Sequence, residues 1–372
     1  MPQIRPTLFL MVGGWGQSPV EQALRQAHQA AAQDLLETLL DEGLIERAVV
    51  ATDDPTWTAN LRGLPVEIDP DPPDTPFHFG RRLADLLTRY PSEAALYAGG
   101  GSAPLMGPED WREALRSLGE GFCAVTNNLY SSDWIAFANP QALIPAVMSQ
   151  TRDNALGWVF SHDLGLRVRS LTASAATRLD LDTPVDLLIA RLHPRIGDHL
   201  RRVLESLDWS AERLEKILEI MAREGGHLIL IGRCAPTAWL ALDQATHCWV
   251  RVFVEERGMI ASGRRERGEV RSLLADYLER VGIEEFFAEL ARLAEGVLMD
   301  NRVLLAARGL WPSPADRFNA DLLRWQEVRD PFLRDLTRAA AVTPIPIVMG
   351  GQSVVNGGLM ALVEILKARR GL

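Results

Sequence analysis

The fold of this chain is decided by the stretch Leu96-Tyr97-Ala98-Gly99-Gly100-Gly101-Ser102-Ala103-Pro104-Leu105-Met106-Gly107-Pro108-Glu109-Asp110-Trp111, which predicts a buried strand, a tight turn and the start of a helix. Three glycines directly after an apolar run let the backbone take a positive φ or approach a ligand closely, and Pro108 suits the first helical turn. Ligands bind open α/β sheets at the carboxyl ends of the strands. The stretch therefore predicts either a ligand site or a packing turn without a ligand.

Composition and charge limit the class of protein. The 372 residues exceed one average domain and suit two. Hydrophobic residues make up 47% and charged residues 24%, which is typical of a globular protein, and no apolar run is long enough to span a bilayer. The net charge of −10 argues against general binding to nucleic acid, because such binding relies on Lys and Arg at the phosphates. We expect neither a membrane protein nor a nucleic-acid-binding one.

The rare residue types add further expectations. The N-terminal residues lack the pattern of a secretory signal, which predicts a cytoplasmic protein. Cys123, Cys234 and Cys248 are widely spaced without a CxxC pattern, so buried thiols are expected rather than disulfides or a zinc site. Lys216 and Lys367 are the only lysines among 39 basic residues. A mechanism that needs a lysine in the first half of the chain is therefore excluded.

The first half alternates predicted strands and helices. Residues 7–12 form an apolar run that ends in the glycine loop Gly13-Gly14-Trp15-Gly16, and residues 21–42 carry apolar side chains at helical spacing. With a strand at 48–52 they predict a βαβ unit and hence parallel sheet. Further strands are predicted at 94–98, 122–126, 134–137, 159–160 and 166–171, with a helix at 79–90 and a Pro- and Asp-rich loop at 65–76.

The second half predicts another α/β domain. A helix is expected at 205–224, strands at 227–232 and 249–254, one or two helices across 269–298 with a break near Gly282, and a strand at 344–349 that enters a glycine loop and a final helix to Lys367. We place the boundary at His193-Pro194-Arg195. The domains are then residues 1–194 and 195–372.

Two motifs of the first half match a known family. They are Gly101-Ser102-Ala103-Pro104-Leu105-Met106 followed by Pro108-Glu109-Asp110, and Leu179-Asp180-Leu181-Asp182-Thr183-Pro184 followed by Asp186-Leu187. Over about residues 7–192 the chain resembles the phospholactate guanylyltransferase and molybdenum-cofactor guanylyltransferase group. The resemblance implies a GT-A nucleotidyltransferase-like domain, with a Rossmann-like, mostly parallel sheet and helices on both faces. It also implies a nucleoside triphosphate as substrate and Mg²⁺ held by acidic groups at the strand ends.

The resemblance also implies roles for single residues. The phosphates would lie on the first loop and the metal near the second, which assigns nucleotide binding to Gly13, Gly14, Gly16, Gly99, Gly100, Gly101 and Ser102. Asp182 would be a metal ligand and a catalytic residue. The alternative for Asp182 is that it only caps the helix that starts at Pro184.

Two departures from the family weaken this site. Ser102 stands where the family usually carries an aspartate, and a neutral hydroxyl binds Mg²⁺ more weakly; Asp133, in the polar loop 127–133, is a candidate replacement. The first loop lacks the Arg and Lys expected just downstream, so Arg25 is the nearest cation for the phosphates. Nucleotidyl transfer depends on such positive charge and on Mg²⁺.

The second half holds three acidic clusters and a second glycine loop. The clusters are Glu255-Glu256-Arg257-Gly258, Asp300-Asn301-Arg302, and Asp316-Arg317-Phe318-Asn319 with Asp321. Acidic residues beside arginines form surface ion pairs more often than catalytic pairs. The loop from Gly350 to Gly358 precedes a helix and offers N–H groups to an anion, but it lacks the Lys-Ser/Thr of a P-loop.

Three functions remain open on the sequence. The preferred one is a nucleotidyltransferase-like enzyme that transfers a nucleotidyl or nucleotide-activated group to a small acceptor with Mg²⁺. The second is a catalytically lapsed scaffold or sensor that binds a nucleotide or metabolite. The third is an enzyme whose active site lies in the second domain, around Glu255, Asp300 and the Gly350 loop.

Overall fold

The structure, a computed structural model, describes residues 4–14, 16–72 and 75–371. The chain divides into two compact units. The first comprises residues 4–14 with Arg25–Asp180 and Gly197–Val203, and the second comprises residues 16–24 with Leu181–Ile196 and residues 204–371. Trp15 of the predicted first glycine loop lies outside the described residues. The division at residue 194 stays a proposal.

The first unit is built on one mixed sheet. Within the described residues it has seven strands in the order β3-β2-β1-β4-β6-β5-β7, and all neighbours are parallel except those of β6. The strands are β1 (Thr7–Val12), β2 (Arg47–Thr52), β3 (Val66–Pro70), β4 (Ala94–Gly99), β5 (Ala124–Thr126), β6 (Trp134–Ala138) and β7 (Val168–Ser170). The central strands are buried on both faces, as helix-covered parallel strands require. The predicted mostly parallel α/β class is confirmed.

The second unit is built on a smaller sheet, which is parallel throughout. Its four strands within the described residues follow the order β11-β10-β8-β9. They are β8 (His227–Gly232), β9 (Trp249–Val254), β10 (Gly296–Asp300) and β11 (Ile347–Gly350). The carboxyl ends of all four strands therefore lie at one edge, where ligands of such sheets bind.

Helices connect the strands along the whole described chain. In chain order they are α1 (Pro19–Asp41), α2 (Phe79–Arg89), α3 (Pro108–Gly119), α4 (Pro140–Met148), α5 (Leu156–Trp158), α6 (Ala175–Arg178), α7 (Pro184–Leu192), α8 (Asp198–Ser206), α9 (Glu212–Ala222), α10 (Pro236–Ala245), α11 (Leu273–Val281), α12 (Ile283–Leu293), α13 (Arg302–Ala307), α14 (Pro314–Asp321), α15 (Pro331–Val342) and α16 (Gly357–Arg369). Among the described residues, no helix has the length and apolar character that crossing a membrane requires.

Each sheet has its own hydrophobic core. In the first unit, side chains of the sheet such as Phe9, Tyr97 and Phe137 pack with the apolar faces of α2 and α4. In the second unit, Ile231 and Met299 pack with α11, α12 and α15. Burial of this apolar surface stabilises each unit by about 25 cal/mol per Å² removed from water.

Two predictions about the first half are wrong. The Pro- and Asp-rich segment 65–76 contains strand β3, which lies at the sheet edge, where a proline is tolerated because no further strand needs its N–H. Asp69 of this strand is buried, but Arg82 neutralises it at 2.9 Å. The predicted strand at 159–160 is helical and forms a π-helical turn, Val159–Asp163.

Two predictions about the second half also need correction. The helix predicted at 205–224 is interrupted between α8 and α9, where Trp209 is buried and the Arg191 guanidinium donates to the Leu207 and Trp209 carbonyls. The helix predicted to continue to residue 298 ends at Leu293, and β10 follows. A short apolar run such as Gly296–Asp300 does not distinguish strand from helix by periodicity.

Candidate functional site

The two glycine segments of the first unit meet at one edge of its sheet. Strands β1 and β4 are parallel neighbours, with Met11 paired to Gly99. The residues that follow the two strands therefore lie side by side at the carboxyl edge. We call Gly13, Gly14, Gly99, Gly100, Gly101 and Ser102 the glycine edge.

Gly13 and Gly14 form a cradle that an internal carboxylate occupies. Asp53, which follows β2, accepts a hydrogen bond from the Gly14 N–H at 3.1 Å and one from Arg25 Nη2 at 2.8 Å. A Cβ atom on Gly13 would lie 2.7 Å from Asp53 Oδ1, so glycine is required there for the close approach. A backbone N–H and a guanidinium that converge on one carboxylate form an anion-binding arrangement.

Arg25 keeps some hydrogen-bonding capacity. Its Nε is buried and has no hydrogen-bond partner among the described residues, and it lies 3.9 Å from Asp54 Oδ2. Burial alone would raise the pKa of Asp54, but hydrogen bonds from Thr56, Gln29 and Trp57 lower it to about 2. Asp54 therefore stays ionised at every physiological pH.

Ser102 closes the turn after β4. Its hydroxyl donates to the Asp133 carbonyl oxygen at 2.8 Å and accepts from the Gly99 N–H at 3.2 Å. Both contacts use the hydroxyl within the fold, and the residue is only 5% exposed. A Cβ on Gly101 would lie 2.6 Å from the His28 ring, so this glycine has a packing role as well.

The Ser102 contact joins the turn after β4 to the backbone of Asp133, the residue named from the sequence as the candidate replacement acid. Asp133 Oδ2 accepts a hydrogen bond from Asn127 Nδ2 at 2.5 Å, and its N–H donates to Asn127 Oδ1 at 3.1 Å. The Asp133 side chain is half-buried and interacts with the charge of Arg178. Burial lowers the pKa of Arg178, and the charge of Asp133 raises it. Asn127 thus fixes the orientation of this carboxylate.

Further acidic residues surround Tyr97 of β4. The tyrosine hydroxyl donates to Asp153 Oδ2 at 2.9 Å. Burial raises the pKa of Tyr97 well above its usual value, and the charges of Asp153, Asp180 and Asp133 act in the same direction. Tyr97 therefore remains a neutral hydrogen-bond donor beneath this acidic group.

The metal expectation can be tested on these side chains. The part of the chain that the structure describes contains no group of three or more His, Cys, Asp or Glu residues that could hold a metal ion. A cage made by the protein alone does not fit. Mg²⁺ bound with nucleotide phosphates usually needs only one or two carboxylates, and Asp133 fits that requirement.

Gly16 and Asp182 belong to the second unit. Gly16 packs against Glu21, which completes a capping box with Ser18 at the start of α1: Ser18 Oγ donates to Glu21 Oε2 at 2.6 Å. Asp182 is exposed, and Thr183 rather than Asp182 is the N-cap of α7. The metal role of Asp182 stays a prediction.

Asp186, in the first turn of α7, is fully buried. Its Oδ2 accepts from the N–H and the hydroxyl of Thr183, both at 2.8 Å. The pKa of Asp186 is raised to about 7, because burial and the charge of Asp182 outweigh the hydrogen bonds from Thr183 and Ser353 that oppose the rise. This carboxyl group therefore titrates near neutral pH.

The residues named for a second-domain active site have structural partners. Glu255 accepts from the Ser272 hydroxyl at 2.6 Å and from the Leu273 N–H, and so holds the start of α11. Asp300 is fully buried in an ion pair with Arg233, with the Nε at 2.5 Å, so it is not on the surface. Gly350 packs tightly against Val354. The carboxylates of Glu255 and Asp300 are therefore both held by structural partners, and neither is a free acid or base.

Several residues at the glycine edge were not found from the sequence. Asp53 follows a predicted strand, and this position at the end of a strand is the signal by which it could have been found. Arg178 directly precedes the second family motif, but its proximity to Asp133 depends on contacts between segments far apart in the chain. Asn127 was noted only as part of a polar loop.

Comparisons with known proteins give structural neighbours only. No family model matches the chain, and no curated protein matches it. A solved nucleotidyl transferase from Methanothermobacter is 16% identical and aligns over 53% of this chain and 98% of its own, with a TM-score of 0.39.

Two further neighbours carry related names. The 4-diphosphocytidyl-2C-methyl-D-erythritol synthase from Anaerococcus prevotii is 13% identical over 50% of this chain and 96% of its own, with a TM-score of 0.38. A CMP:2-keto-3-deoxy-manno-octonic acid synthetase complexed with CTP is 12% identical over 45% and 89%, with a TM-score of 0.34. All three TM-scores are below 0.5, so the candidate site rests on the residues described above.

Proposed function

We propose that the first unit binds a nucleoside triphosphate at the glycine edge and transfers its nucleotidyl, or a nucleotide-activated, group to a small acceptor with Mg²⁺. One observation carries this proposal. Parallel strands β1 and β4 end side by side in glycine segments, with Arg25 close to the first segment and Asp133 close to the second. Such an edge combines close backbone approach with a cation and a carboxylate.

Each group has a role in this proposal. The N–H groups of Gly13 and Gly14 and the Arg25 guanidinium bind phosphate oxygens, and Asp53 leaves the cradle when the phosphates enter. Asp133 would hold Mg²⁺, which neutralises phosphate charge when bound. In the transfer an anionic acceptor oxygen bonds to the α-phosphorus, the bond to the β-phosphate oxygen breaks, and pyrophosphate leaves.

The hydrogen bonds of Ser102 favour a second function. Its hydroxyl is used within the fold, and the described residues hold no three-ligand metal group. A scaffold or sensor that binds nucleotide without chemistry needs the cradle but not the metal. This reading predicts that Mg²⁺ makes no difference to binding.

Calorimetric titration of each nucleoside triphosphate, with Mg²⁺ and with a chelator, separates the two functions. For the transferase, Asp133→Asn should weaken Mg²⁺-dependent binding, and pyrophosphate should be released when an acceptor is present. For the scaffold, binding should be equal in both buffers. Ser102→Asp should then create Mg²⁺-dependent binding that the wild type lacks.

The control is Glu93→Gln. Glu93 is exposed and precedes β4, at the opposite edge of the sheet, so this variant removes one carboxylate without touching the cradle. If Glu93→Gln weakens binding as much as Asp133→Asn does, the assignment of Asp133 is wrong.

A further inference from the structure

The second unit carries a cluster of three arginines, Arg265, Arg302 and Arg317, which its fold neutralises only in part. Arg317 of α14 is half-buried. Its guanidinium donates to the Pro312 carbonyl oxygen and stacks on Trp311, with the guanidinium carbon 4.9 Å from the ring centre. No carboxylate of the described residues lies within ion-pair distance of it. A desolvated guanidinium without a counter-ion is costly unless an anion binds it.

A second guanidinium lies on the same indole. Arg265 stacks on Trp311 with its guanidinium carbon 4.5 Å from the ring centre. Trp311 is 38% exposed, so solvent and small ligands reach this group. Stacking on a ring fixes the plane of a guanidinium. Its N–H groups then point outward in that plane, where they can donate to oxygen acceptors.

The third arginine of the cluster is satisfied. Arg302 donates to both oxygens of Asp321, at 2.8 and 2.6 Å, and both side chains are buried. Asp321 lies one helical turn after Arg317 on α14. The Arg302–Asp321 pair is therefore buried and satisfied. Arg265 Nη2 pairs with Glu266, so Arg317 is the guanidinium of the three without a carboxylate partner among the described residues.

The burial of Arg317 outweighs the attraction of the acidic groups around it. The pKa of Arg317 is lowered to about 10. Burial is the largest cause, the charges of Arg302 and Arg265 act in the same direction, and the charges of Asp321 and Glu21 oppose them from a distance. Arg302 lies two residues after Asp300, the last residue of β10. The cluster thus begins at the carboxyl edge of the parallel sheet, where ligands bind.

We propose that the second unit binds a phosphate-bearing small molecule at Arg317, with Arg265 and Trp311 beside it. The planar fork of the Arg317 guanidinium matches a phosphate dianion, whose oxygens accept charge-assisted hydrogen bonds. This site is separate in residues from the glycine edge, and it does not depend on the transferase proposal.

Calorimetry with inorganic phosphate, pyrophosphate and a phosphate monoester, in chloride buffer, tests the site. The full chain is compared with Arg317→Gln, with Arg25→Gln and with Arg280→Gln, an exposed arginine of α11. Arg317→Gln should weaken the binding of at least one probe roughly tenfold or more, because charge-assisted hydrogen bonds are lost. Arg280→Gln should leave that binding unchanged.

The other results overturn the proposal. If Arg317→Gln binds every probe as the wild type does, or if only Arg25→Gln loses binding, the cluster is not a phosphate site. Circular dichroism checks that Arg317→Gln is folded. Should it unfold, Arg265→Gln replaces it, with an expected weakening of several-fold, and unchanged binding again refutes the site. Tight binding of the monoester but not of free phosphate identifies an organic phosphate as the ligand.

Discussion

Replacing Asp53 by asparagine should strengthen nucleotide binding. The Asp53 carboxylate occupies the cradle of the Gly14 N–H and Arg25, so an incoming phosphate competes with it. Asparagine keeps the size of the side chain but removes the negative charge. Arg25 then becomes available to the phosphate without the loss of an ion pair.

The size of the effect follows from exposure. The side chains of Arg25 and Asp53 are 17% and 38% exposed, and pairs this accessible are worth up to about 1 kcal/mol. Repulsion between the displaced carboxylate and a phosphate charge about 6 Å away adds roughly 0.7 kcal/mol in water. A total of about 1–2 kcal/mol corresponds to roughly five- to thirtyfold tighter binding.

Titration calorimetry with the preferred triphosphate measures this change. Glu93→Gln is the matched control, and its affinity should equal that of the wild type. Asp53→Asn should also unfold at slightly lower temperature without ligand, since it loses an ion pair. Unchanged or weaker triphosphate binding by Asp53→Asn would refute the competition between Asp53 and phosphate.

Three further predictions concern stability and organisation. Because the pKa of Asp186 is raised to about 7 in the folded state, its stabilising contribution is complete below about pH 4 and is lost as the pH rises to about 7. The free energy of unfolding of the wild type relative to Asp186→Asn should therefore fall over this range, by up to about 1.4 kcal/mol per pH unit, and a difference independent of pH in urea titrations would contradict the shift. Asp321→Ala should lower the free energy of unfolding in urea by about 3–5 kcal/mol, because it leaves buried Arg302 without its carboxylate. Glu289→Ala, at an exposed pair, should lower it by less than about 1 kcal/mol. Equal losses would refute the argument. The proposed boundary at residue 194 predicts an early proteolytic cut there, and protection of Leu181–Ile196 with cuts elsewhere, detected by mass spectrometry, would move the boundary.

Much of the fold could be predicted because its strands are continuous apolar runs that end in glycine or acidic residues. Strands β1, β4 and β8 follow this rule. The sequence misled where a long-range contact supplied the stability. Asp69 is tolerated in β3 because Arg82, thirteen residues away, neutralises it, and no local pattern reveals such a pair.

The candidate site was predictable only in outline. The glycine segments and Arg25 were named from the sequence, and the parallel pairing of β1 with β4 accounts for the adjacency of the first segment with the second. The carboxylate of Asp53 in the cradle was not foreseen, because a sequence does not indicate which charged groups satisfy one another. Arg317 was assigned to a surface ion pair for the same reason, yet it has none within the described residues.

The central claim is that the glycine edge binds nucleotide phosphates through Arg25. The most direct test is calorimetric titration of the nucleoside triphosphates into the wild type, Arg25→Gln and Arg62→Gln, an exposed arginine of the same unit. The account predicts that at least one triphosphate binds the wild type and Arg62→Gln equally, and binds Arg25→Gln roughly tenfold more weakly or worse. If no triphosphate binds, or if Arg25→Gln binds as the wild type does, the claim is contradicted.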